Sequence, residues 1–193
     1  MTLIATEGVQ VFIDLDDEQA ALRDELKAYY AELMNPDVRR EMEHEEGTGP
    51  IRRRIVEQLG TDGWIAMGWP EEYGGQGKSA VEQFIFYDET MRVGSPAPML
   101  TINTVGPTIM DYGTPEQKEF FLPEIAAGRM HFCIGYSEPD AGTDLASLAT
   151  RAVRDGDEYV INGQKTWTSL ALGCDYIWLA ARTDPDVSKH KGC

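Results

Sequence analysis

Residues 134–144, with the sequence IGYSEPDAGTD, hold the densest group of side chains in this chain that could bind a ligand. A strand-like stretch ends there, and a turn rich in small and hydroxylic residues follows. Such a turn exposes backbone N–H groups and hydroxyls, which can hydrogen-bond to the edge of a heterocycle or to a pyrophosphate. Taken alone, the pattern fits a tight turn with Ser, Thr and Asp caps better than it fits a ligand site.

A second segment, residues 162–169 with the sequence NGQKTWTS, places a tryptophan beside hydroxyl groups. Trp167 could fill a core, or it could stack beside an aromatic ring while Thr168 or Ser169 hydrogen-bonds to that ring. The residues of this segment leave both alternatives open.

Metal binding and a disulfide framework are not expected. The chain has three cysteines: Cys133, Cys174 and Cys193. Their odd number, their wide spacing and the lack of a CxxC motif favour a reducing compartment. The three histidines do not lie at ligand spacing, so no metal site is assigned.

The charge of the chain argues against binding to nucleic acids. The sequence has 17 Lys and Arg against 33 Asp and Glu, a net charge of −16, whereas phosphate binding needs clustered basic residues. The short basic run at 52–54 is interpreted as the solvated face of a helix.

Residues 1–13 lack the features of a signal peptide, and no run is apolar enough to span a bilayer. These features predict a soluble, cytoplasmic protein.

Residues 1–129 are predicted to form an all-helical domain, because their apolar residues recur at helical intervals. Asp14 is expected to cap the first helix and Asn35-Pro36 to end it, with a loop or frayed helix at 39–49. Residues 63–77, rich in glycine and aromatic residues, predict a packed, ordered loop. Further helices are predicted at 51–59, 79–93, 103–112 and 115–128.

Several details of these helices are also predicted. Gly60 is expected to stop the helix at 51–59. Thr114 is expected to form a capping box with Gln117, and Pro123 to kink or divide the helix that follows. The residues expected to face inward from the helix at 79–93 are Val81, Phe84, Ile85 and Met91.

Residues 130–193 are predicted to form short strands, which gives an α+β fold with helices first and strands second. Strands are expected at 131–136, 159–161, 165–169 and 176–182, with hairpin turns at Asp155-Gly156 and Asn162-Gly163. The last strand is apolar and would lie near an edge, which suggests a chain cut from something longer. The alternative is a complete small α+β protein with a poorly protected edge.

Five blocks of the sequence, in this order, resemble the acyl-CoA dehydrogenase family. Besides the two segments above, they are GWPEEYGG at 68–75, YGTPEQK at 112–118 and LPEIAAG at 122–128. The resemblance implies an N-terminal helical domain, then an antiparallel β-barrel domain that is incomplete in this chain, then a helical bundle beyond it. The style of residues 95–108 also resembles the actinobacterial branch that shortens steroid side chains.

The resemblance also implies that the chain binds FAD. By motif position, Ile134, Tyr136 and Ser137 would contact the isoalloxazine ring. Gly142 and Thr143 would lie by the FAD pyrophosphate, and Thr143 also by the pantetheine arm of the substrate.

The second segment would contact the same cofactor. Trp167 would pack by the flavin, and Thr168 and Ser169 would face its ring edge. Asp140 departs from the small residue that is usual in the family and would add negative charge near an anionic ligand.

The implied reaction is α,β-dehydrogenation of an acyl-CoA thioester, with hydride transfer to the flavin. The family's base is a glutamate in the C-terminal domain; no residue here matches it, and Glu138 is not nominated. The chain alone is therefore expected to be inactive. The implied partners are an acyl-CoA substrate, electron-transfer flavoprotein or a similar acceptor, and a homo- or hetero-oligomer.

Three other functions remain open. The chain could be a non-catalytic FAD- or CoA-binding subunit of a hetero-oligomer. It could belong to an acyl-CoA oxidase or flavin monooxygenase of the same fold, or it could be an acidic α+β protein with no ligand.

Overall fold

The computed structural model describes residues 14–45 and 49–192, with helices first and strands second. The predicted α+β class is therefore confirmed. The α-helices are α1 (Asp17–Leu33), α2 (Pro36–Glu43), α3 (Pro50–Thr61), α4 (Ala80–Val93), α5 (Gly106–Tyr112) and α6 (Pro115–Ala126). The strands are β1 (Phe132–Gly135), β2 (Arg151–Asp155), β3 (Glu158–Asn162) and β4 (Tyr176–Leu179).

The start of α1 differs from the prediction by two residues. Asp16 is the cap, because its Oδ1 accepts the Gln19 backbone N–H at 2.8 Å while the Gln19 side chain accepts the Asp16 N–H. Asp14 instead accepts the N–H of Leu15. A reciprocal capping box satisfies two backbone donors, so the Asp16–Gln19 pair outcompetes a single upstream carboxylate.

Two helix boundaries in the next segment were also predicted incorrectly. A loop or frayed helix was expected over residues 39–49, but the helix α2 runs from Pro36 to Glu43. The Asn35 side chain caps its start by accepting the N–H groups of Asp37 and Val38. The helix α3 runs through Gly60 to Thr61. A single glycine inside a helix costs only about 1 kcal/mol relative to alanine, which neighbouring contacts can offset.

One part of the helical core lies where α1 packs against α4. Tyr30 and Phe86 are fully buried there, and the Tyr30 hydroxyl lies 2.6 Å from the Thr90 hydroxyl. The prediction that Ile85 faces inward is confirmed, but Val81, Phe84 and Met91 are 45%, 62% and 56% exposed. The buried face of α4 includes the polar residues Glu89 and Thr90, which apolar spacing could not identify.

The loop at 63–77 is packed, as predicted, over residues 63–69, whereas most of residues 70–77 are exposed, and Trp69 is its anchor. Trp69 is 5% exposed, and its Nε1 donates to the carbonyl of Ile102 at 3.1 Å. Its ring lies against Gly106, where any Cβ would collide with it. The loop therefore joins a π-helical turn (Thr101–Val105) and the start of α5 to the core.

The helix α6 confirms the predicted capping box between Thr114 and Gln117. Pro123 does not divide the helix, which continues to Ala126. Gly128, with φ of +70°, then ends this segment in the left-handed conformation that glycine adopts at low cost. Within residues 14–45 and 49–192, no helix is both long and apolar enough to cross a bilayer.

The strands form two separate pairs, and the antiparallel barrel is not present among the described residues. The strands β2 and β3 form the predicted antiparallel hairpin around Gly156. The strand β4 pairs with β1 in parallel, with Cys133 opposite Ile177, where an antiparallel meander was expected. Residues 163–170 form no strand, so Asn162-Gly163 does not open a second hairpin. Instead, the N–H of Thr166 donates a hydrogen bond to the carbonyl of Ser137, which follows β1.

Candidate functional site

The two segments identified in the sequence lie side by side just beyond the end of β1. The N–H of Thr166 donates to the Ser137 carbonyl at 2.9 Å. The Lys165 ammonium donates to the Tyr136 carbonyl, also at 2.9 Å. These two contacts bring together residues that the family resemblance assigns to one ligand.

The Glu138 carboxylate helps to hold these two segments together. It is buried, and it accepts the N–H groups of Ala149 at 2.6 Å and Thr150 at 2.8 Å and the Lys165 ammonium at 2.8 Å. Burial alone would raise the Glu138 pKa, but hydrogen bonds from Lys165, Thr150 and Ala149 outweigh burial and lower the pKa to about 2. All these donors bind the ionised form, so Glu138 is suited to holding the loop rather than to taking up a proton.

Sequence reasoning missed Lys165 and the structural part played by Glu138. One signal could have indicated them: Glu138 is a long charged side chain in a turn of small residues, and Lys165 lies between strand-like residues. Charged residues in such places are seldom buried unless they are paired.

The ring of Tyr136 is held by a residue that the sequence did not single out. Trp178 donates its Nε1 proton to the Tyr136 hydroxyl at 3.1 Å. Ile134 lies opposite Trp178 in the β1–β4 register. The parallel strand pair therefore orients two of the predicted cofactor contacts.

Trp167 does not fill a core. Its side chain is 85% exposed, and its φ of +57° places it in the left-handed region that bulky residues rarely adopt. The N–H of Ser169 binds the Trp167 carbonyl at 2.9 Å and holds this tight turn. An exposed indole on a strained backbone gains nothing from packing within the chain, so this arrangement favours a ligand contact over the core-filling alternative.

Four hydroxyl groups at the site are uncommitted. Among the described residues, the hydroxyls of Ser137, Thr143, Thr168 and Ser169 form no hydrogen bond with the rest of the chain. Gly142 lies in the open, where an added Cβ would meet nothing within 4 Å. These groups can donate to and accept from a polar ligand at no cost in internal hydrogen bonds.

The structure does not bring every predicted residue into one contact. Gly142 and Thr143 are exposed, and within the described part of the chain no hydrogen bond joins them to residues 165–169. Asp140 is exposed in the same turn.

A small apolar cavity of about 230 Å³ adjoins the site. Its lining includes Met99, Leu100, Phe132 and Leu170, the residue that follows Ser169. A larger cavity of about 540 Å³ lies between α3 and α6 and contains none of the predicted site residues. Across residues 14–45 and 49–192, no three His, Cys, Asp or Glu side chains are grouped to hold a metal ion.

Family models cover nearly the whole chain. The model for the N-terminal domain of acyl-CoA dehydrogenases matches residues 16–129, and the model for the middle domain matches residues 133–193. The boundary between them coincides with the change from helices to strands.

Individual relatives agree with the family models. Acyl-CoA dehydrogenase FadE26 of Mycobacterium tuberculosis is 58% identical over 93% of this chain and 46% of its own length. The crystal structure of the ChsE4-ChsE5 complex from Mycobacterium tuberculosis matches with 58% identity and a TM-score of 0.88, over 94% of this chain and 46% of that one. The Tcur3481-Tcur3483 steroid ACAD matches with 54% identity and a TM-score of 0.88, over 94% and 47%.

The chain spans about half the length of the curated relatives it matches. The matched half includes both segments of the site and the helices that support them. The chain belongs to the acyl-CoA dehydrogenase family.

Proposed function

We propose that this chain supplies the helical domain, residues 1–129, and flavin-facing strands, residues 130–193, of an FAD-dependent acyl-CoA dehydrogenase. The proposed reaction is α,β-dehydrogenation of an acyl-CoA thioester. The observation that carries the proposal is the exposed, left-handed Trp167, flanked by uncommitted hydroxyls of Thr168 and Ser169.

The donor set at the site fits a flavin. FAD, when bound, supplies the hydride acceptor. The Ser137, Thr168 and Ser169 hydroxyls are proposed to hydrogen-bond to the polar edge of the ring, while the Trp167 indole packs against the ring. Ile134 and Tyr136, oriented by β4, are proposed to complete the ring contacts.

The open turn at Gly142 and Thr143 suits the more distant parts of the ligands. Its exposed backbone and hydroxyl are proposed to lie by the FAD pyrophosphate and the pantetheine arm of the substrate. The cavity beside Leu170 is proposed to hold part of the acyl group, because its mostly apolar lining gains from burying an apolar chain. No residue of this chain is proposed as the base, and Glu138 is excluded by its committed hydrogen bonds.

We propose a steroid-derived acyl group and a hetero-oligomeric assembly for the complete enzyme. Support comes from the similarity to a solved steroid ACAD and to the ChsE4-ChsE5 complex. In such an assembly the base would come from a protein segment other than residues 1–193, and electron-transfer flavoprotein or a similar acceptor would reoxidise the flavin. A homo-oligomer and a non-catalytic FAD- or CoA-binding subunit are the alternatives. Bleaching of the flavin by an acyl-CoA added to the complete assembly under anaerobic conditions tests the dehydrogenation, and the measured oligomeric state separates a homo-oligomer from a hetero-oligomer.

Replacement of Trp167 tests the proposed flavin contact. The side chain is exposed, so Trp167→Ala is expected to leave folding intact and to raise the Kd for FAD about tenfold, the effect of losing one stacking contact. Tyr112→Ala is the matched control, since Tyr112 is an 84% exposed aromatic in α5. Binding is measured by quenching of flavin fluorescence during titration of the purified chain.

Two results would contradict the proposal. One is the absence of FAD binding by the unchanged chain at micromolar concentrations. The other is an equal Kd for the Trp167 and Tyr112 variants, because stacking on Trp167 would then contribute nothing. Thr168→Val, which removes a hydroxyl and keeps the shape of the side chain, provides a second, independent check of the ring-edge contact.

A further inference from the structure

Two cysteines far apart in sequence meet beside the flavin-facing segments. The sulfur atoms of Cys133 and Cys174 lie 2.8 Å apart, although 41 positions separate the residues. Both are free thiols. The expectation that the cysteines form no disulfide framework rested on spacing along the chain, which does not reveal this contact.

The two thiols differ in how reagents can reach them. Cys133 lies in β1 with 1% exposure, and burial, followed by the neighbouring Cys174, raises the pKa of its thiol to about 11. Cys174 is only half-buried and follows the turn Ala171–Gly173. A small reagent would therefore meet Cys174 first and leave Cys133 as the second, resolving thiol.

The position of the pair relates it to the site. Cys133 directly precedes Ile134, and Cys174 lies five positions after Ser169. A covalent link between them would tie the outer ends of both segments that carry the proposed flavin contacts. The turn Ala171–Gly173 is otherwise exposed, with the side chain of Leu172 entirely in solvent.

We propose that Cys133 and Cys174 form a reversible disulfide by exchange with a low-molecular-weight disulfide such as oxidised glutathione. The Cys174 thiolate attacks one sulfur of the reagent, and the other half leaves as a thiol. Cys133 then loses its proton to water and attacks the Cys174 sulfur, which releases the second thiol. Two protein thiols are oxidised, and one reagent disulfide is reduced to two thiols. The proposal does not depend on FAD binding.

The pair can be detected directly by peptide mapping. The test uses the full chain carrying Cys193→Ser, because Cys193 lies outside the described residues and could compete. The protein is equilibrated with oxidised and reduced glutathione in graded ratios, and the free thiols are then alkylated. Trypsin cuts after Arg129, Arg151, Lys165 and Arg182, so Cys133 falls in peptide 130–151 and Cys174 in peptide 166–182.

The expected product is a linked pair of these peptides that grows with the proportion of oxidised glutathione and disappears on reduction. Two separately alkylated peptides at the highest ratio would overturn the proposal. So would a stable glutathione adduct on Cys174 that Cys133 never resolves.

Thermal melting gives a second readout that needs no peptide mapping. Oxidation is expected to raise the Tm of the Cys193→Ser chain by roughly 5 °C, since a cross-link restricts the unfolded chain. Cys174→Ala is the matched control: its site is half-buried, so the variant is expected to fold, and its Tm should not respond to oxidation. An equal Tm response in the variant would also overturn the proposal.

Discussion

One terminal nitrogen of Arg53 lies 2.9 Å from both carboxylate oxygens of Asp175, a residue 122 positions later in the chain. Arg53 also donates to the Gly173 carbonyl at 2.8 Å, and Asp175 accepts the His131 N–H at 2.8 Å. This contact joins α3 to the residues that lead into both β1 and β4. The interpretation of residues 52–54 as a solvated face is therefore wrong for Arg53.

Removal of this link is expected to destabilise the chain modestly. Both side chains are about one-third exposed, so solvent screens their attraction. Arg53→Ala should lower the free energy of unfolding by about 1–2 kcal/mol, mostly through the lost hydrogen bonds to Asp175 and Gly173. Urea denaturation measures the change, with the exposed neighbour Arg54→Ala as control, expected within about 0.5 kcal/mol of the unchanged chain. Equal losses in both variants would show that the link contributes nothing.

Position 106 needs a glycine because the Trp69 ring leaves no room for a side chain there, and not because of its backbone conformation. Its φ is ordinary for a helix, so alanine there would otherwise be favoured by helix propensity. The added methyl group would, however, collide with the indole of Trp69, which is buried and hydrogen-bonded to Ile102. Gly106→Ala should therefore destabilise the chain by about 1–3 kcal/mol, the usual cost of overpacking.

Thermal melting of two alanine variants distinguishes these effects. Gly142→Ala is the control, because nothing lies within 4 Å of the Cβ it would add. We expect a lowered Tm for Gly106→Ala and an unchanged one for Gly142→Ala. A Tm for Gly106→Ala at or above that of the unchanged chain would mean that the Trp69 ring can move away from the added methyl group without a loss of stability.

Local signals predicted the fold where a few neighbouring residues decide the structure. The Thr114–Gln117 capping box and the Gly156 hairpin are complete within a few residues, so the sequence was sufficient for both. The pairing of β1 with β4 was not predictable in this way, since it depends on contacts across a long crossover. Asn162-Gly163 has a hairpin signal, but residues 163–170 form no strand, and the N–H of Thr166 binds the Ser137 carbonyl instead.

The site was predicted as two segments, but what holds them together was not. The family resemblance placed Tyr136, Ser137 and Trp167 on one ligand, and hydrogen bonds between the segments agree with that proximity. The Glu138–Lys165 ion pair spans 27 positions and joins side chains that no local pattern connects. Burial decides its importance, and burial is a property of the folded chain.

The loss of stability should differ according to which partner of the Glu138–Lys165 pair is removed. Glu138→Gln leaves the nearly buried Lys165 charge without its carboxylate and disturbs two backbone contacts, for an expected loss of about 2–4 kcal/mol. Lys165→Met leaves the carboxylate bound to the N–H groups of Ala149 and Thr150, so about 1–2 kcal/mol is expected. Urea denaturation of both variants measures the difference. If Lys165→Met costs as much as Glu138→Gln, the two backbone donors do not hold the carboxylate as described.

The same carboxylate should make stability depend on pH below about 4.5. Its pKa is about 2 in the folded chain, below the ordinary value of 4.5, so the unfolded chain takes up the proton first as the pH falls. The stability that Glu138 contributes is fully present above pH 4.5 and is lost between pH 4.5 and about 2. The gap in unfolding free energy between the unchanged chain and Glu138→Gln should therefore be constant from pH 7 to 5.5 and narrow toward pH 3.

Other groups whose pKa is lowered in the folded chain also make it less stable in acid, among them Glu82, His131 and Asp175, and the comparison with Glu138→Gln removes their effect. Burial, aided by the nearby Arg53 charge, lowers the pKa of His131. Burial would raise the pKa of Asp175, but hydrogen bonds from the His131 N–H and Arg53 lower it. These contributions are common to the two proteins and cancel in the difference, which isolates Glu138. A gap that stays constant to pH 3 would mean that Glu138 has the same affinity for protons in the folded and unfolded chains, and that the loop is held by something other than its charge.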